Sequence, residues 1–284
     1  MKKVVQQRFI GERALFQSYD LNLSYCTFAD GESPLKESRD IQIDNTLFKW
    51  KYPLWYCKNI KVENSTLLET ARSGIWYTYN IEVSNSTIEA PKTFRRSKNI
   101  KLSHVTMPMA SETLWNCSDI ELNDITANGN YFGMNSENIV ANGFNLTGNY
   151  AFDGAKNIEI HNAKMLSKDA FWNCENVVVY DSLIIGEYLG WNSKNITFVN
   201  CVIDSLQGLC YMENLVMKNC KLINTTLAFE YSTVDVEINS TVDSVMNPAK
   251  GRIKAQKIGD LIMDDTKINS SDTKIILEES GNEI

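Results

Sequence analysis

The chain has 284 residues, with 35 acidic and 28 basic side chains and a formal net charge of −7. Acidic and basic residues are interspersed, so the sequence argues against nucleic acid as a partner, because phosphate binding needs a basic face. Residues 1–10 contain no apolar segment of the signal-peptide type, and no run of 18 apolar residues occurs. We therefore expect no membrane span and a cytoplasmic location.

A short sequence motif recurs along the chain and is clearest at residues 193–200, with the sequence SKNITFVN. Alternation of apolar and polar residues predicts a short strand, and the two Asn predict turns at its ends. The residue before the first apolar position serves as a register mark. The marks are 19–21 residues apart and are Asp20, Asp40, Asn59, Asn80, Asn99, Asp119, Asn138, Asn157, Asn176, Asn195, Asn214 and Thr233. Such a short and regular repeat predicts a solenoid.

The repeats share apolar columns at the first, third and eighth residues after the mark. In one repeat these are Ile60, Val62 and Leu67, and the intervening residues are mostly polar. No apolar stripe with a period of 3.6 residues is present, so a helical repeat is excluded. The predicted fold class is all-β: a single-stranded parallel β-helix of about twelve coils of 19–21 residues. Right-handed winding follows from the general handedness of parallel crossovers.

No break in composition interrupts the repeat, so we expect a single domain over residues 1–284. Residues 1–13 precede the first complete coil and are predicted to be an N-terminal cap. Residues 14–238 form the regular coils. The register weakens after Thr233, and residues 239–284 are predicted to form irregular C-terminal coils and a cap.

The fifth position after the mark is dominated by Asn, including Asn45, Asn64, Asn162 and Asn200. Asn tolerates the left-handed conformation, and its amide can bond to the Asn one coil away. This column predicts an asparagine ladder, a structural feature. His104 occupies the same column and is interpreted as a ladder substitute.

Seven Cys are present, and none lies in a CxxC pair. Cys57, Cys117 and Cys174 share one register position, while Cys201 and Cys220 share another. Cysteines in repeat columns are expected to be small buried side chains in a reducing compartment. The sequence offers no metal-ligand spacing and no cofactor fingerprint, so neither a metal nor a cofactor is expected.

The repeat and its Asn column resemble the right-handed β-helix of pectin lyases. Several short segments are similar to a narrower group, a bacterial domain-of-unknown-function family with this fold. They are FIGERALF at 9–16, DGES at 30–33, LKES at 35–38, PLW at 53–55, AFW at 170–172, YLGW at 188–191, LCY at 209–211 and AFEY at 228–231. The resemblance covers nearly the whole chain. It implies the fold, and it implies no reaction.

Five of the six Trp occupy one column, four residues before the mark: Trp55, Trp76, Trp115, Trp172 and Trp191. The column five before the mark contains Leu54, Phe94 and Phe171 and no charge, so it is the better candidate for the core. Alternation then turns the Trp column outward. Two other interpretations stay open. The Trp side chains lie in the core beside the small Cys residues, or they form the contact of a homo-oligomer.

An outward Trp column suits a sugar, because sugar rings have apolar faces that lie on indoles. The candidate substrate-binding residues are the five Trp of the column, Arg96, Tyr131 and Tyr150. Arg95 and Asp153 interrupt the Trp column, and Asp153 and Asp169 lie in consecutive repeats near the same corner. Two carboxylates across a groove could act as acid and base in glycoside hydrolysis. The candidate catalytic residues are therefore Asp153, Asp169 and Arg95.

The sequence lacks the motifs of familiar polysaccharide enzymes. No cluster of carboxylates across adjacent repeats suits Ca²⁺, and the only Asp-Asp pair, Asp264-Asp265, lies outside the regular coils. The functional prediction is a β-helix protein that binds or processes a carbohydrate on an aromatic-lined strand face. Any enzymatic activity would be of the glycoside hydrolase or polysaccharide lyase type. The alternative is a non-catalytic scaffold whose aromatic face mediates self-association. The expected partners are a carbohydrate or a second copy, with no nucleic acid and no membrane.

Overall fold

The structure of the protein is a computed structural model that describes residues 1–278. It contains two compact units, Met1–Thr147 and Gly148–Ile284. Both units consist of β-strands and turns. The part of the chain that the structure describes contains no α-helix, only the short 3-10 helices Glu69–Ala71 and Ser270–Asp272. No helix within residues 1–278 is long and apolar enough to cross a membrane.

The first unit contains fourteen strands, which stack as successive coils with parallel pairing. They are β1 (Lys2–Val5), β2 (Arg8–Phe9), β3 (Tyr19–Ser24), β4 (Thr27–Phe28), β5 (Arg39–Asp44), β6 (Leu47–Phe48), β7 (Lys58–Glu63), β8 (Thr66–Leu67), β9 (Ile75–Trp76), β10 (Tyr79–Ile88), β11 (Phe94–Arg95), β12 (Lys98–Met107), β13 (Ser118–Asn128) and β14 (Glu137–Thr147). The register keeps the sequence columns aligned, with Ile41 beside Ile60 and Ile60 beside Ile81.

The second unit contains ten strands in the same arrangement. They are β15 (Lys156–His161), β16 (Lys164–Leu166), β17 (Glu175–Tyr180), β18 (Leu183–Glu187), β19 (Lys194–Val199), β20 (Val202–Leu206), β21 (Glu213–Ile223), β22 (Thr233–Met246), β23 (Lys250–Ile262) and β24 (Thr273–Leu277). Val177 pairs with Ile196, which pairs in turn with Leu215. The predicted fold class, an all-β parallel solenoid, is confirmed.

The solenoid has about 15 turns, more than the twelve predicted. One missed coil holds β1 and β2 within the predicted cap, residues 1–13, where no Asn or Asp marks the register. Two further coils hold β23 and β24 and lie within residues 239–284, for which irregular C-terminal coils were predicted. Val234 pairs with Gly251, which pairs with Thr273, so these coils depart from the 19-residue spacing. Residues 279–284 of the predicted C-terminal cap lie outside the described residues, and the single-domain assignment stays a prediction.

The columns that follow the mark form the interior of each unit. Leu23, Ile43 and Val83 in the first unit, and Val179 and Phe198 in the second, are at most 1% exposed. Burying a side chain of this size contributes about 1.5–3 kcal/mol to folding. Alternate residues point to solvent, which explains the polar positions between the columns.

Amide ladders run along the turns at both ends of these strands. In the predicted column, Asn219 Nδ2 donates to Asn200 Oδ1 over 2.8 Å. The register marks form a second ladder that the sequence analysis did not foresee, because Asn99 Nδ2 donates to Asn80 Oδ1 over 2.9 Å. Asn80 and Asn200 each have a φ of 56°. Asn is suited to both roles, since it accepts a left-handed backbone and its amide both donates and accepts. His104, with a φ of 54°, occupies the predicted ladder position.

Candidate binding surfaces

The buried column is the one that the sequence analysis favoured for the core. Leu54, Phe94 and Phe171, of the column five before the mark, are fully buried. The five Trp of the next column, Trp55, Trp76, Trp115, Trp172 and Trp191, are half-buried. They line the outside of their coils and do not fill the interior.

Each of these five indoles is held by a hydrogen bond to the turn of the following coil. The Nε1 atoms of Trp76, Trp115 and Trp172 donate to backbone carbonyls over 2.8, 2.6 and 2.6 Å. Trp55 and Trp191 do the same over 2.5 and 2.8 Å. Every acceptor residue has a left-handed backbone: Ser73, Lys92, Tyr131, Tyr188 and Gln207. The indole N–H thus satisfies a carbonyl that a tight turn exposes, and it is not available to a ligand.

In the first unit the column forms a continuous stack. The rings of Trp55 and Trp76 are parallel, with centroids 5.1 Å apart. The Arg95 guanidinium lies 4.7 Å from the Trp76 centroid and 4.6 Å from that of Trp115. Arg95 therefore takes the place of an aromatic ring between two indoles. The π-faces of both indoles attract its positively charged guanidinium. Both faces of Trp76 are covered by its neighbours.

Ion pairs hold the Arg95 head group in place. Its Nη2 lies 3.2 Å from Glu112 Oε2, and Lys92 Nζ contacts the same oxygen at 3.2 Å. Its neighbour Arg96 is exposed, and its Nη1 donates to the Tyr77 hydroxyl over 3.3 Å. The two arginines therefore have different surroundings, although they are adjacent in sequence.

The predicted tyrosines contact the Trp column edge-on. Tyr131 meets Trp115 at an interplanar angle of 86°, with centroids 6.3 Å apart. In the second unit Tyr150 meets Trp172 at 87°, and Trp172 stacks on Trp191 at 5.8 Å. The sequence analysis grouped these residues as a substrate-binding set, and in the structure they pack on one another. Their binding role stays a prediction.

Asp169 is buried at a left-handed turn of the second unit, with 3% of its surface exposed and a φ of 57°. Burial raises the pKa of its carboxyl group, an effect that Lys168 and a hydrogen bond from the Tyr150 side chain oppose. The charges of Glu187 and Asp153 raise this pKa further. Asp153 is half-buried and accepts a hydrogen bond from Asn173 Nδ2 over 2.8 Å.

Two of the three predicted catalytic residues, Asp153 and Asp169, are near enough for the charge of Asp153 to raise the pKa of Asp169. Arg95 belongs to the first unit, where it is part of the Trp stack. A catalytic role for these three residues stays a prediction. Within residues 1–278, no three His, Cys, Asp or Glu side chains are grouped so that they could hold a metal ion.

The sixth tryptophan, Trp50, lies in a different environment. It lines a hollow of about 250 Å³ in the first unit, which we call the Trp50 hollow, together with Lys51, Glu69, Thr70, Arg72 and Pro91. Its indole N–H bonds to no residue of the described chain, unlike those of the other five. Lys51 Nζ lies 5.5 Å from the Trp50 ring centroid and 3.1 Å from Glu32 Oε1.

The polar groups around this hollow are only partly engaged. The Arg72 and Glu69 side chains are exposed and form no ion pair with a residue of the described chain. Thr70 Oγ1 donates to the Lys49 carbonyl over 2.6 Å, which leaves its oxygen free to accept. The hollow therefore combines an indole, two cations, a carboxylate and a hydroxyl.

The sequence analysis missed Trp50 as a site residue, although two signals were present. Trp50 is the only Trp outside the Trp column. Among the repeats between register marks, that from Asn59 to Asn80 is the longest, at 21 residues, and the extra length includes the 3-10 helix Glu69–Ala71. An insertion in one coil of a regular solenoid often lies at a binding face.

The aligned strands, the amide ladders and the stacked side chains define this protein as a parallel β-solenoid. The chain belongs to the family described as "Protein of unknown function (DUF3737)", whose family model matches residues 2–276. This result confirms the resemblance drawn from the sequence. No curated protein matches the chain in sequence.

Several solved structures share the solenoid architecture at low similarity. A surface adhesin of Streptococcus pneumoniae, PfbA, is 12% identical over 74% of this chain and 70% of its own, with a TM-score of 0.41. The A-module of the Azotobacter vinelandii mannuronan C-5 epimerase AlgE4 is 9% identical over 93% and 88%, with a TM-score of 0.29.

Proposed function

We propose that this protein is a non-catalytic solenoid that binds carbohydrate in the Trp50 hollow. One observation carries the proposal: of the six indoles, Trp50 alone keeps its N–H free of protein hydrogen bonds within the described chain and lines a hollow. An indole offers an apolar surface for a sugar ring and a donor for a hydroxyl group.

The Trp column serves a structural purpose in this proposal. A sugar that stacks on an indole needs an open ring face, yet Trp76 is covered on both faces, and Trp172 and Trp191 cover each other on one. The N–H groups of these indoles are also occupied. The column therefore supports the coils, and the ligand site lies beside it in the first unit.

The charges of the Trp50 hollow favour a sugar that carries a carboxylate. Arg72 has no acidic partner in the described chain, and a guanidinium recognises a carboxylate through two parallel hydrogen bonds. Lys51 adds a second positive charge, while Glu69 and Thr70 can bond to ring hydroxyls. The volume of about 250 Å³ is below the usual range of about 300–1,000 Å³ for ligand sites, so we expect one sugar residue to be bound.

A glycan array with the labelled protein tests this proposal. We expect the wild-type protein to retain glycans with uronic acid or other carboxylated residues. Trp50→Ala should lose at least about tenfold in affinity, equivalent to about 1.4 kcal/mol. Trp191→Phe is the matched control, because it alters an indole of the column, and it should bind as the wild type does. Absence of binding to every glycan, or equal loss in both variants, would contradict the proposal.

A further inference from the structure

The short insertion beside Trp50 carries two opposite charges that have no partner in the protein. The 3-10 helix Glu69–Ala71 begins with Glu69, and Arg72 follows its last residue. Both side chains are exposed and both line the Trp50 hollow. Neither forms an ion pair or a side-chain hydrogen bond with a residue of the described chain. The insertion therefore brings one free anion and one free cation to the same hollow.

The backbone that carries these two charges is fixed at two points. Ala71, which lies between them, is fully buried, and its N–H donates to the Leu68 carbonyl over 2.8 Å. The Thr70 hydroxyl donates to the Lys49 carbonyl over 2.6 Å. Groups held on an ordered backbone lose less conformational entropy when a ligand binds. The insertion is thus suited to present both charges to a ligand.

The remaining charge of the hollow is already balanced. Lys51 Nζ lies 3.1 Å from Glu32 Oε1. Glu69 and Arg72 do not pair with each other, although opposite charges three residues apart on a helix attract one another. A ligand with a carboxylate alone would satisfy Arg72, but Glu69 would repel it. A ligand with one charge of each sign complements both residues.

We propose that the sugar bound in the Trp50 hollow is a zwitterion, with a carboxylate for Arg72 and a free, protonated amine for Glu69. The ligand class is that of amino sugar acids whose amine is not acetylated. This inference rests on the proposed function, and it adds a second charged group to the carboxylated sugar proposed there.

The hydrogen-bonding capacity of the lining fits this ligand. The Arg72 guanidinium can hold a carboxylate through two parallel hydrogen bonds. An ammonium group has three N–H donors, which the Glu69 carboxylate and the Thr70 hydroxyl oxygen can accept. Acetylation removes the charge and leaves one N–H. A charge-assisted bond is stronger than a neutral one, but an exposed ion pair contributes modestly, so we expect a preference of about two- to fivefold for the free amine.

Calorimetric titration with three related sugars provides the test. Muramic acid carries a carboxylate and a free amine, N-acetylmuramic acid carries the carboxylate alone, and N-acetylglucosamine carries neither charge. At about pH 6 the amine is protonated and the carboxyl groups are ionised. We expect the wild-type protein to bind muramic acid about two- to fivefold more tightly than N-acetylmuramic acid. N-acetylglucosamine should bind most weakly of the three.

Two variants separate the two charges of the hollow. Glu69→Gln should lose the preference for the free amine and keep the preference for the carboxylate. Arg72→Gln should do the reverse. A preference caused by the size of the acetyl group would persist in Glu69→Gln. Glu82→Gln is the matched control, because Glu82 is exposed and does not line the hollow, and it should bind all three sugars as the wild type does. Thermal unfolding checks that each variant is folded.

The outcomes distinguish this inference from the proposed function. If the wild-type protein binds N-acetylmuramic acid at least as tightly as muramic acid, the zwitterion is wrong and the site for a carboxylated sugar stands. If a folded Glu69→Gln keeps the preference for the free amine, or if Glu82→Gln loses it, the assignment of Glu69 is overturned. If no carboxylated sugar binds, the proposed function fails and this inference fails with it.

Discussion

Arg95 lies between the indole rings of Trp76 and Trp115, with its guanidinium carbon 4.7 and 4.6 Å from the two ring centroids. A charged residue in an aromatic column looks like an interruption in the sequence. In the folded chain it continues the stack, and Glu112 fixes its head group. Because the coils are stacked in register, the contacts of a side chain are set by the side chains at the same position one coil away.

Replacement of Arg95 by Ala should destabilise the first unit. The change removes two cation–π contacts and leaves a gap between two indoles. We expect a loss of about 1–3 kcal/mol in the free energy of unfolding, since each contact is worth about 0.5–2 kcal/mol. Urea denaturation followed by circular dichroism measures the loss. Arg96→Ala is the control, because Arg96 is exposed, and it should cost less than about 0.5 kcal/mol. Equal effects would show that the stack contributes nothing.

Replacement of Trp172 by Phe should cost about 1 kcal/mol or more. The substitution keeps a ring but removes the N–H that donates to the Tyr188 carbonyl over 2.6 Å. That carbonyl then lacks its partner at a half-buried position, which carries a penalty of about 1–3 kcal/mol. Trp50→Phe is the matched control, since the Trp50 N–H bonds to no described residue. Denaturation curves for the two variants should differ, and coincident curves would argue against a structural purpose for the indole bonds.

Asp169 should make stability depend on pH in a defined direction. Burial raises the pKa of this carboxyl group in the folded state, so the folded chain holds the proton more tightly than the unfolded chain. As pH rises above the unfolded-state value of about 4, the buried carboxylate costs free energy. Asp169→Asn removes that cost and should gain stability relative to wild type between about pH 3 and pH 7.

Thermal unfolding of wild type and Asp169→Asn across this pH range measures the difference. Asp181→Asn, at an exposed turn of the second unit, is the control and keeps an oxygen that can accept from Asn200. We expect its difference from wild type to stay within about 0.5 kcal/mol. A gain for Asp169→Asn that shrinks as pH rises would contradict the assigned burial of the carboxylate.

The cysteines should be shielded from reagents by burial in the folded protein, including Cys220, whose pKa is lowered by a hydrogen bond with the Cys201 thiol. All seven are buried and free. Burial raises the pKa of Cys57, Cys117 and Cys210 to about 12, so they are thiols and not thiolates at pH 8. We expect no fast reaction with the reagent DTNB under native conditions and the titration of seven thiols in guanidinium. A thiol that reacts within seconds in the folded chain would show that a coil is open.

The fold could be predicted from the sequence because the solenoid repeats one set of contacts. Ile60, Ile81 and Ile100 are neighbours in space for the same reason that they align in sequence. The first coil was missed because Met1 stands where a mark is expected, and the last coils were predicted to be irregular, in line with Gly251 following Val234 after only 17 residues. Backbone hydrogen bonds between coils do not require particular side chains. A coil can therefore form where the repeated sequence motif is absent.

The candidate site was harder to predict for a physical reason. The sequence grouped the Trp column correctly, yet it could not show that each N–H is used by a carbonyl of the next turn, as for Trp115 and Tyr131. That bond depends on the left-handed backbone of Tyr131, with a φ of 59°, which only the folded chain displays. Trp50 belongs to no column, and its N–H bonds to no residue of the described chain.

The most direct test of the account is isothermal titration calorimetry of a uronic-acid oligosaccharide and its neutral counterpart into wild type and Arg72→Gln. We predict that wild type binds the acidic sugar more tightly than the neutral one. We also predict that Arg72→Gln removes this preference while it still binds the neutral sugar on Trp50. If both proteins bind the two sugars equally, or if neither binds, the Trp50 hollow is not a site for acidic carbohydrate.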